Sequence, residues 1–199
     1  MVTKLILASQ SKIRADLLTS AGLDFEQQFS VVDEESIKAS LVAASAEPID
    51  IAGALAEAKA RKISNKQPMK MVLGCDQVLN FDGRLMSKPT DKADAFEQLL
   101  ELQGKSHILH SAAVICQGGQ PIWRKINSVK MTMRIVSGAY LEDYVERNWS
   151  SIRESVGSYK LEEEGVRLFS HVKGDYFTVL GLPLLDLISF LTLRGELEI

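Results

Sequence analysis

A long hairpin in the middle of the chain constrains the fold more than any other sequence feature. Two apolar, strand-like runs, 108–116 and 122–135, flank the segment Gln117-Gly118-Gly119-Gln120. A glycine pair between two such runs is typical of a tight antiparallel connection, because glycine adopts the positive φ angles that these turns require. A sheet that contains this hairpin is not a simple doubly wound parallel sheet.

Strands and helices alternate toward both ends of the chain. Residues 4–8 predict a buried strand, and the hydroxyl residues within 9–11 then cap a helix that stops at Gly22. Further strands are predicted at 25–32, 71–79, 166–172 and 177–180. Further helices are predicted at 51–63, from Thr90 or Asp91 to Gly104, from Ser137 through Val145, and after Pro183.

The interleaved pattern predicts the α/β class, with a mixed twisted sheet flanked by helices. Asp82-Gly83 adds a second hairpin-type turn. Residues 148–158 are polar and have the least regular pattern, so we expect an irregular segment that can line a cleft. The chain of 199 residues, 46% of them hydrophobic, fits one globular domain over 1–199, arranged as two lobes around a central cleft.

Charge and composition narrow the choice of partners. Lys and Arg total 23 against 26 Asp and Glu, and the net charge of −3 gives no general field for duplex nucleic acid. Any phosphate recognition must therefore be local. No apolar run approaches the roughly 18 to 20 residues of a membrane span, so we expect a cytoplasmic protein that does not enter the membrane. Cys75 and Cys116 lack CxxC spacing and are expected to be buried core residues.

The first strand and helix can form an anion site. A strand that ends in Ser9 and feeds a helix directs backbone N–H groups toward one point, and Arg14 adds a positive charge on the first turns. This arrangement suits a phosphate group. From this segment alone, a capped surface helix with a solvated arginine is the simpler explanation, since no glycine-rich phosphate loop is present.

Asp76 stands out among the acidic residues. It follows the apolar run 71–73 near the end of a central strand, where a carboxylate is costly unless it is paired, hydrogen-bonded or metal-bound. Glu34 can join it on one hard cation if the strands converge, because magnesium favours oxygen ligands. Taken alone, the triplet Asp33-Glu34-Glu35 is equally consistent with an ordinary solvated acidic turn.

Two lysines complete a candidate phosphate site. Lys59 lies in an alanine-rich helix, and Lys88 precedes Pro89 just after the second hairpin. Each alone is consistent with a solvent-facing residue. Together with Arg14 and the carboxylates, they supply the cations that phosphoryl chemistry uses to neutralise developing charge. His107, His110 and His171 show no metal-binding spacing, so we assign the histidines to structure or surface. No GxSxG motif is present, so Ser9 is better suited to capping and phosphate binding than to nucleophilic attack.

Taken together, these residues make the chain resemble the Maf family of nucleotide pyrophosphatases over nearly its whole length. The opening LASQSKIR, residues 7–14, is similar to the LASxSPRR segment of that family, and later short motifs follow in the same order. These are Gly74-Cys75-Asp76-Gln77-Val78, Asp82-Gly83, Lys88-Pro89, Gly157-Ser158-Tyr159, Gly174-Asp175-Tyr176 and Val179-Leu180-Gly181-Leu182-Pro183. Their common order makes the match specific.

The resemblance implies hydrolysis between the α and β phosphates of a nucleoside triphosphate, with Mg²⁺ or Mn²⁺, in the cleft of a Maf/ITPase-like mixed α/β fold that often forms homodimers. Asp76 falls on the catalytic acidic position of the family, as a proton acceptor. The other matched polar positions are Glu34, which with Asp76 would lie near the metal, and the substrate- or phosphate-binding residues Ser9, Arg14, Lys59 and Lys88.

Departures from the family pattern concern the base. Ile13 lies within Lys12-Ile13, which replaces the usual Pro-Arg, and Gln77 and Glu162 stand where the dTTP/UTP branch carries threonine and glutamine. These specificity positions are more similar to the 7-methyl-GTP branch, although that branch typically has tryptophan at the position of Ile13. Glu162 can accept hydrogen bonds from a guanine-like edge or pair with a cationic methylated base.

Two questions stay open at the level of sequence. Asp76 either deprotonates the attacking water or joins Glu34 as a metal ligand while the cation activates the water. The alternative function is a nucleotide-binding regulator of septum formation and cell division with little turnover, because binding and catalysis share most contacts.

Overall fold

The computed structural model describes residues 5–29 and 31–198. The helices are α1 (Lys12–Ser20), α2 (Glu34–Ala43), α3 (Pro48–Ser64), α4 (Lys92–Leu102), α5 (Gly138–Ile152), α6 (Tyr176–Val179) and α7 (Leu184–Leu193), with a 3-10 helix at Glu164–Leu168. The strands are β1 (Leu5–Leu7), β2 (Phe25–Gln27), β3 (Val72–Phe81), β4 (Arg84–Met86), β5 (Ser106–Gln117), β6 (Gln120–Met133) and β7 (Phe169–Lys173).

The long hairpin predicted from the glycine pair is confirmed. Strands β5 and β6 pair antiparallel along almost their whole length, and Gly118 and Gly119 connect them with φ angles of 59° and 75°. The second predicted turn also forms, because Asp82 and Gly83 have φ angles of 50° and 81° between β3 and β4. Both turns therefore follow from the residues that tolerate positive φ.

The strands form one mixed sheet in the order β2-β1-β3-β5-β6-β7, with β4 also paired to β3. Strands β1, β2 and β3 are mutually parallel where they pair, and the remaining pairs are antiparallel. This is the predicted mixed α/β sheet. None of the helices in the described ranges has the length and apolar character of a membrane span.

The cleft lies along one side of strand β3. On one side it pairs continuously with β5, whereas on the other side β1 pairs with Val72 and Leu73 and β4 pairs with Leu79–Phe81. Within the described residues no strand pairs with 74–78 on that second side. We call this stretch the open edge of β3, and it separates the lobe that contains β1 from the lobe that contains β4.

Helices cover both faces of the sheet. Helix α3 packs on one face over a cluster that includes Val72 and Val78, while α1 and α7 cover one end of the other face and α4 and α5 cover its opposite end. A Cβ atom on Gly74 would lie 2.1 Å from the carbonyl oxygen of Ala56, so only glycine allows α3 to approach β3 this closely. This close approach brings Lys59 of α3 above Asp76.

The predicted strand at 25–32 forms only over Phe25–Gln27 and was wrong for the described residues that follow. Ser30 lies outside the described residues. The acidic triplet does not end a strand, because it begins helix α2. The side chain of Asp33 accepts a hydrogen bond from the backbone N–H of Ser36 and caps this helix. No residue of α2 is fully buried, and only Ile37 and Leu41 pack against the core, so its apolar face is too short to indicate a helix clearly.

The predicted strand at 177–180 was also wrong, because Tyr176–Val179 forms the short helix α6, capped by Asp175. The predicted strand at 166–172 begins only at Phe169, after the 3-10 helix. Helix α5 continues to Ile152, so the first part of the segment predicted to be irregular is helical. Lys4, the first residue of the predicted opening strand, lies outside the described residues.

Most predicted helix limits are confirmed. Asp91 and Ser137 cap α4 and α5 through their side chains, and α7 follows Pro183. Ser11 occupies the N-cap position of α1 without a side-chain cap bond, and the hydroxyl of Ser9 instead accepts the N–H of Ser11 at 3.2 Å. The hydroxyl capping predicted for α1 was therefore wrong for residues 9–11, because the Ser9 hydroxyl bonds the N-cap residue and not an N–H of the helix.

Candidate active site

Asp76 lies in the open edge of β3 and is 7% exposed. Its predicted place near the end of the strand was wrong, because β3 continues to Phe81 and Asp76 lies in its middle. The Nζ atom of Lys59 is 2.6 Å from Oδ1 of Asp76 and 2.9 Å from Oε2 of Glu34. The two carboxylates that the sequence could not place relative to each other therefore meet at one ammonium group. Glu34 reaches this point because it is the first residue of α2, at the exposed end of the cluster.

The buried position changes the protonation of Asp76. Burial raises the pKa of this carboxyl above its usual range, because the charged form loses its contact with water. The ammonium of Lys59 and, more weakly, the guanidinium of Arg14 act in the opposite direction and favour the carboxylate. These opposing effects set how strongly the carboxylate binds a proton, which makes Asp76 a candidate proton acceptor.

Arg14 enters the site from the other side of the open edge. Its Nε atom donates to the carbonyl oxygen of Gly181 at 2.8 Å, and its Nη1 atom donates to the carbonyl oxygen of Cys75 at 3.2 Å and to Oγ of Ser9 at 3.3 Å. The amide nitrogen of Gln27 donates to the carbonyl oxygen of Ser9 at 2.8 Å. Ser9 and Arg14, both predicted as phosphate-binding residues, are thus held together beside β3.

Lys88 lies farther out. It is exposed and donates to Oε2 of Glu154 at 3.2 Å, while Oγ of the preceding Ser87 accepts from Lys38 of α2 at 3.0 Å. These contacts place Lys88 on the β4 side of the cleft. They do not bring its ammonium into contact with Asp76 or Glu34.

Two of the three predicted base-specificity residues, Gln77 and Ile13, lie at the other sheet face. Because side chains alternate along a strand, Gln77 points away from Asp76, and its amide nitrogen donates to Oγ of Ser111 and to the carbonyl oxygens of Thr178 and Val179. Ile13 is partly buried against the cluster that contains Leu180 and Leu182. Glu162 is exposed as a residue, but partial burial of its carboxyl raises the pKa of that group.

The donor set is compatible with a divalent metal. Glu34 and Asp76 converge on a single cationic group, and one or two carboxylates plus substrate phosphates are the ligands that Mg²⁺ usually takes from such sites. In the described residues no cluster of three or more His, Cys, Asp or Glu side chains is arranged to hold a metal by itself. A metal bound here would share its coordination with the substrate.

Both cysteines are buried, as predicted, and two of the three histidines also lie in the interior. His107 and His110 are buried, and their rings contact the hydroxyls of Tyr159 and Ser128. Cys75 is buried, and burial raises the pKa of its thiol to about 11.

Sequence reasoning missed the residues that hold Arg14 and Gln77 from a distance. Asp175 and Gly181 were recognised as parts of family motifs and Thr178 was not singled out, and no local pattern indicated that their turn reaches residues more than a hundred positions earlier. A glycine that follows a capped short helix was the available signal, because it marks a backbone with unusual φ or a close contact.

Comparisons with known proteins identify the family of this chain. Residues 4–193 match the protein family described as Maf-like protein. A nucleoside triphosphate pyrophosphatase from Ruegeria sp. (strain TM1040) is 58% identical over 198 residues, covering 100% of each chain. The nucleoside triphosphate pyrophosphatase of Caulobacter vibrioides is 48% identical over 198 residues, covering 100% of this chain and 99% of that protein. A 7-methyl-GTP pyrophosphatase from Brucella abortus biovar 1 is 41% identical over 189 residues, covering 95% of each.

Proposed function

This chain belongs to the Maf family, and on that premise we propose that it hydrolyses nucleoside triphosphates to nucleoside monophosphates and pyrophosphate. The observation that carries the proposal is the convergence of Asp76, Glu34 and Lys59 at the open edge of β3. The names of its relatives support turnover over a purely regulatory role in cell division.

The cations hold the triphosphate in this proposal. Arg14, fixed beside Ser9, and Lys88, on the opposite side of the cleft, neutralise the phosphate oxygens. Lys59 orients the carboxylate of Asp76 through its 2.6 Å contact and adds a third positive charge. Charge neutralisation from several directions stabilises the transition state, because phosphoryl transfer places negative charge on the equatorial and leaving oxygens.

Asp76 acts on the attacking water. Its carboxylate accepts a proton from the water as the water oxygen forms a bond to the α-phosphorus. The bond between that phosphorus and the α–β bridging oxygen breaks in line, and pyrophosphate leaves with the bond electrons. The raised pKa of Asp76 makes the carboxylate a stronger base than an exposed aspartate.

Glu34 and Asp76 are the residues that would hold Mg²⁺ or Mn²⁺ in this site. Such a cation supplies charge neutralisation on the phosphates and lowers the pKa of bound water. Lys59, which contacts both carboxylates, must then share or leave its position between them. We expect Glu34→Gln to reduce the activation of the reaction by metal. Nucleotide binding measured without metal should change less.

The first test is pyrophosphate release from a panel of ordinary and base-modified nucleoside triphosphates, with Mg²⁺ or Mn²⁺. We expect Asp76→Asn to lower kcat by roughly 10² to 10⁴, because it removes the proton acceptor. Asp82→Asn, in the β3–β4 turn, is the matched control and should retain activity. Full activity in Asp76→Asn would exclude the proposed role, and nucleotide binding without turnover in the wild type would support the regulatory alternative.

The substrate base forms a finer part of the proposal. We propose that Glu162 selects a cationic methylated guanine, which is supported by the similarity to a 7-methyl-GTP pyrophosphatase. Glu162→Gln should lower kcat/KM for 7-methyl-GTP relative to GTP. Glu163→Gln is the neighbouring control, since Glu163 contacts Lys160 and Ser151. An unchanged ratio in Glu162→Gln would remove Glu162 from base selection.

The family resemblance also supports a single domain over residues 1–199, a cytoplasmic location and a homodimer. Sedimentation velocity at micromolar concentration tests the assembly, because a monomer of 22.0 kDa and its dimer sediment at clearly different rates. A monomer at every concentration would exclude the proposed dimer.

A further inference from the structure

Arg14 differs from the other two proposed phosphate-binding cations. Lys59 contacts the carboxylates of Glu34 and Asp76, and Lys88 contacts that of Glu154. Arg14 makes hydrogen bonds only to neutral oxygens, and in the described ranges no ion pair neutralises it. Its charge is therefore available to an anion in the cleft.

The guanidinium is fixed on two of its three nitrogens. Nε and Nη1 donate to Gly181, Cys75 and Ser9, which belong to three different segments of the chain. Across the part of the chain that the structure describes, Nη2 donates to no protein acceptor. A planar fork with one end anchored and the other end open is arranged to bind a phosphate oxygen.

Gly181 determines where this fork can lie. Its φ angle is +91°, and a Cβ atom at this position would lie 3.0 Å from Nη2 and 3.1 Å from Nε of Arg14. Both distances are shorter than ordinary contacts between such atoms. Any side chain at position 181 would therefore displace the guanidinium and weaken its bond to the 181 carbonyl.

The turn that contains Gly181 is itself braced. Oδ2 of Asp175 accepts the backbone N–H and the hydroxyl of Thr178, both at 2.7 Å. The carbonyl oxygen of Thr178 in turn accepts the hydroxyl of Ser111 at 2.7 Å and the backbone N–H of Gly181 at 3.1 Å. Asp175 thus sets the backbone that presents the Gly181 carbonyl to Arg14.

We propose that Gly181 and Asp175 are positioning residues for triphosphate binding, and that they act through Arg14. This inference rests on the phosphate-binding role of Arg14 in the proposed function. Neither residue touches the substrate in this account, since their effect is to hold the open end of the guanidinium toward the cleft.

A double-mutant cycle tests the proposal by separating positioning from general stability. The four proteins are wild type, Arg14→Ala, Gly181→Ala and the double variant, and the probe is inorganic tripolyphosphate, measured by calorimetry beside KM and kcat for nucleotide hydrolysis. We expect Gly181→Ala to weaken tripolyphosphate binding and raise KM roughly tenfold, which corresponds to about 1.4 kcal/mol. In the Arg14→Ala background, Gly181→Ala should have no further effect on binding.

Gly195→Ala is the matched control, because Gly195 has a φ angle of +71° and no atom lies within 4 Å of the position that the added methyl group would occupy. It carries the backbone strain without the contact to Arg14 and should bind tripolyphosphate like the wild type. Asp175→Asn is a milder second variant in case Gly181→Ala does not fold, and Asp91→Asn, which alters the cap of α4, is its control. Asp175→Asn should weaken binding in the same direction, again only when Arg14 is present.

Additive effects of Gly181→Ala and Arg14→Ala, or equal effects of Gly181→Ala and Gly195→Ala, would overturn the inference. Failure of the proposed function gives a different result. In that case the wild type releases no pyrophosphate, while tripolyphosphate binding and its dependence on Gly181 can still be measured.

Discussion

Asp76 and Lys59 depend on each other at the scale of single residues. A carboxylate that is 7% exposed is destabilised by the loss of water, and the ammonium 2.6 Å away restores part of the favourable electrostatic interaction. The same contact keeps the ammonium in the buried part of the cleft. Removing Lys59 leaves the buried carboxylate with only the weaker influence of Arg14, and removing Asp76 leaves Lys59 with the partly exposed carboxylate of Glu34.

The pH dependence of catalysis reports this coupling. Lys59 lowers the pKa of Asp76, so Lys59→Met should raise that pKa further above its usual range. Asp76 accepts a proton only as the carboxylate, and the acidic limb of kcat/KM should therefore move to higher pH in Lys59→Met. The pH profile of kcat/KM for the best nucleotide measures this shift, because kcat/KM reports the pKa values of groups in the free enzyme.

Lys66→Met, which alters an exposed lysine just after α3, is the control for the loss of one positive charge. Its acidic limb should coincide with that of the wild type. An acidic limb in Lys59→Met that does not move would mean that another group controls the reaction in this pH range.

At the scale of elements, the approach of α3 to β3 places the catalytic pair. Gly74→Ala would force a methyl group against the Ala56 carbonyl oxygen and the Ala60 nitrogen, at 2.1 and 2.7 Å. Backbone atoms cannot move aside as a flexible side chain can, so we expect a loss of about 3 kcal/mol in the free energy of unfolding. Lys59 would also shift relative to Asp76, and kcat should fall.

Urea denaturation followed by circular dichroism measures this loss. Gly138→Ala is the matched control, because Gly138 begins α5 and has no neighbour within 4 Å of the added methyl group. Its stability should change by less than about 1 kcal/mol. Equal stabilities of the two variants would show that the contact between α3 and β3 has room for a side chain.

The elements also show what the sequence could predict. Turns and caps with a local chemical cause were readable, such as the Gly118-Gly119 connection and the caps Asp91 and Ser137. Helix α2 was missed because its apolar face consists only of the partly buried Ile37 and Leu41, and four-residue α6 is too short for a period to identify it. Both are capped by an aspartate that accepts the N–H three residues later, a weaker but available signal.

The candidate site divides along the same line. Asp76 was predictable because a carboxylate directly after an apolar run is costly unless it has a partner, although the strand continues past it. Its meeting with Glu34 and Lys59 depends on how α2 and α3 pack, and the contact between Arg14 and Gly181 joins residues 167 positions apart. Such contacts come from tertiary packing, which no local pattern encodes.

At the scale of the whole molecule, one long strand serves both lobes. Because β1 and β4 are each short and pair with opposite ends of β3, the cleft forms within the sheet itself. Substrate groups at the open edge can therefore meet Asp76 on one face and the turn at 178–181 on the other. The lobe beside β4 contains a buried histidine, His107.

His107 should make the stability of the whole protein depend on pH. It is 2% exposed, its ring packs against Tyr159 and Phe169, and burial lowers its pKa from 6.5 to about 4. As pH falls from 7 to 5, the unfolded chain takes up a proton at this histidine and the folded chain does not. This histidine should therefore cost the folded state about 2 kcal/mol over that range, since each pKa unit corresponds to roughly 1.4 kcal/mol.

Urea denaturation at pH 7 and pH 5 isolates this effect when wild type is compared with His107→Gln. The variant loses packing at both pH values, but its stability should fall less between them, because it no longer has the group that protonates on unfolding. His171→Gln, which changes an exposed histidine of β7, should keep the wild-type dependence. If His107→Gln and wild type lose the same free energy of unfolding between pH 7 and pH 5, the ring of His107 is protonated in the folded core. In that case Nε2 of His107 must donate the hydrogen bond to the Tyr159 hydroxyl.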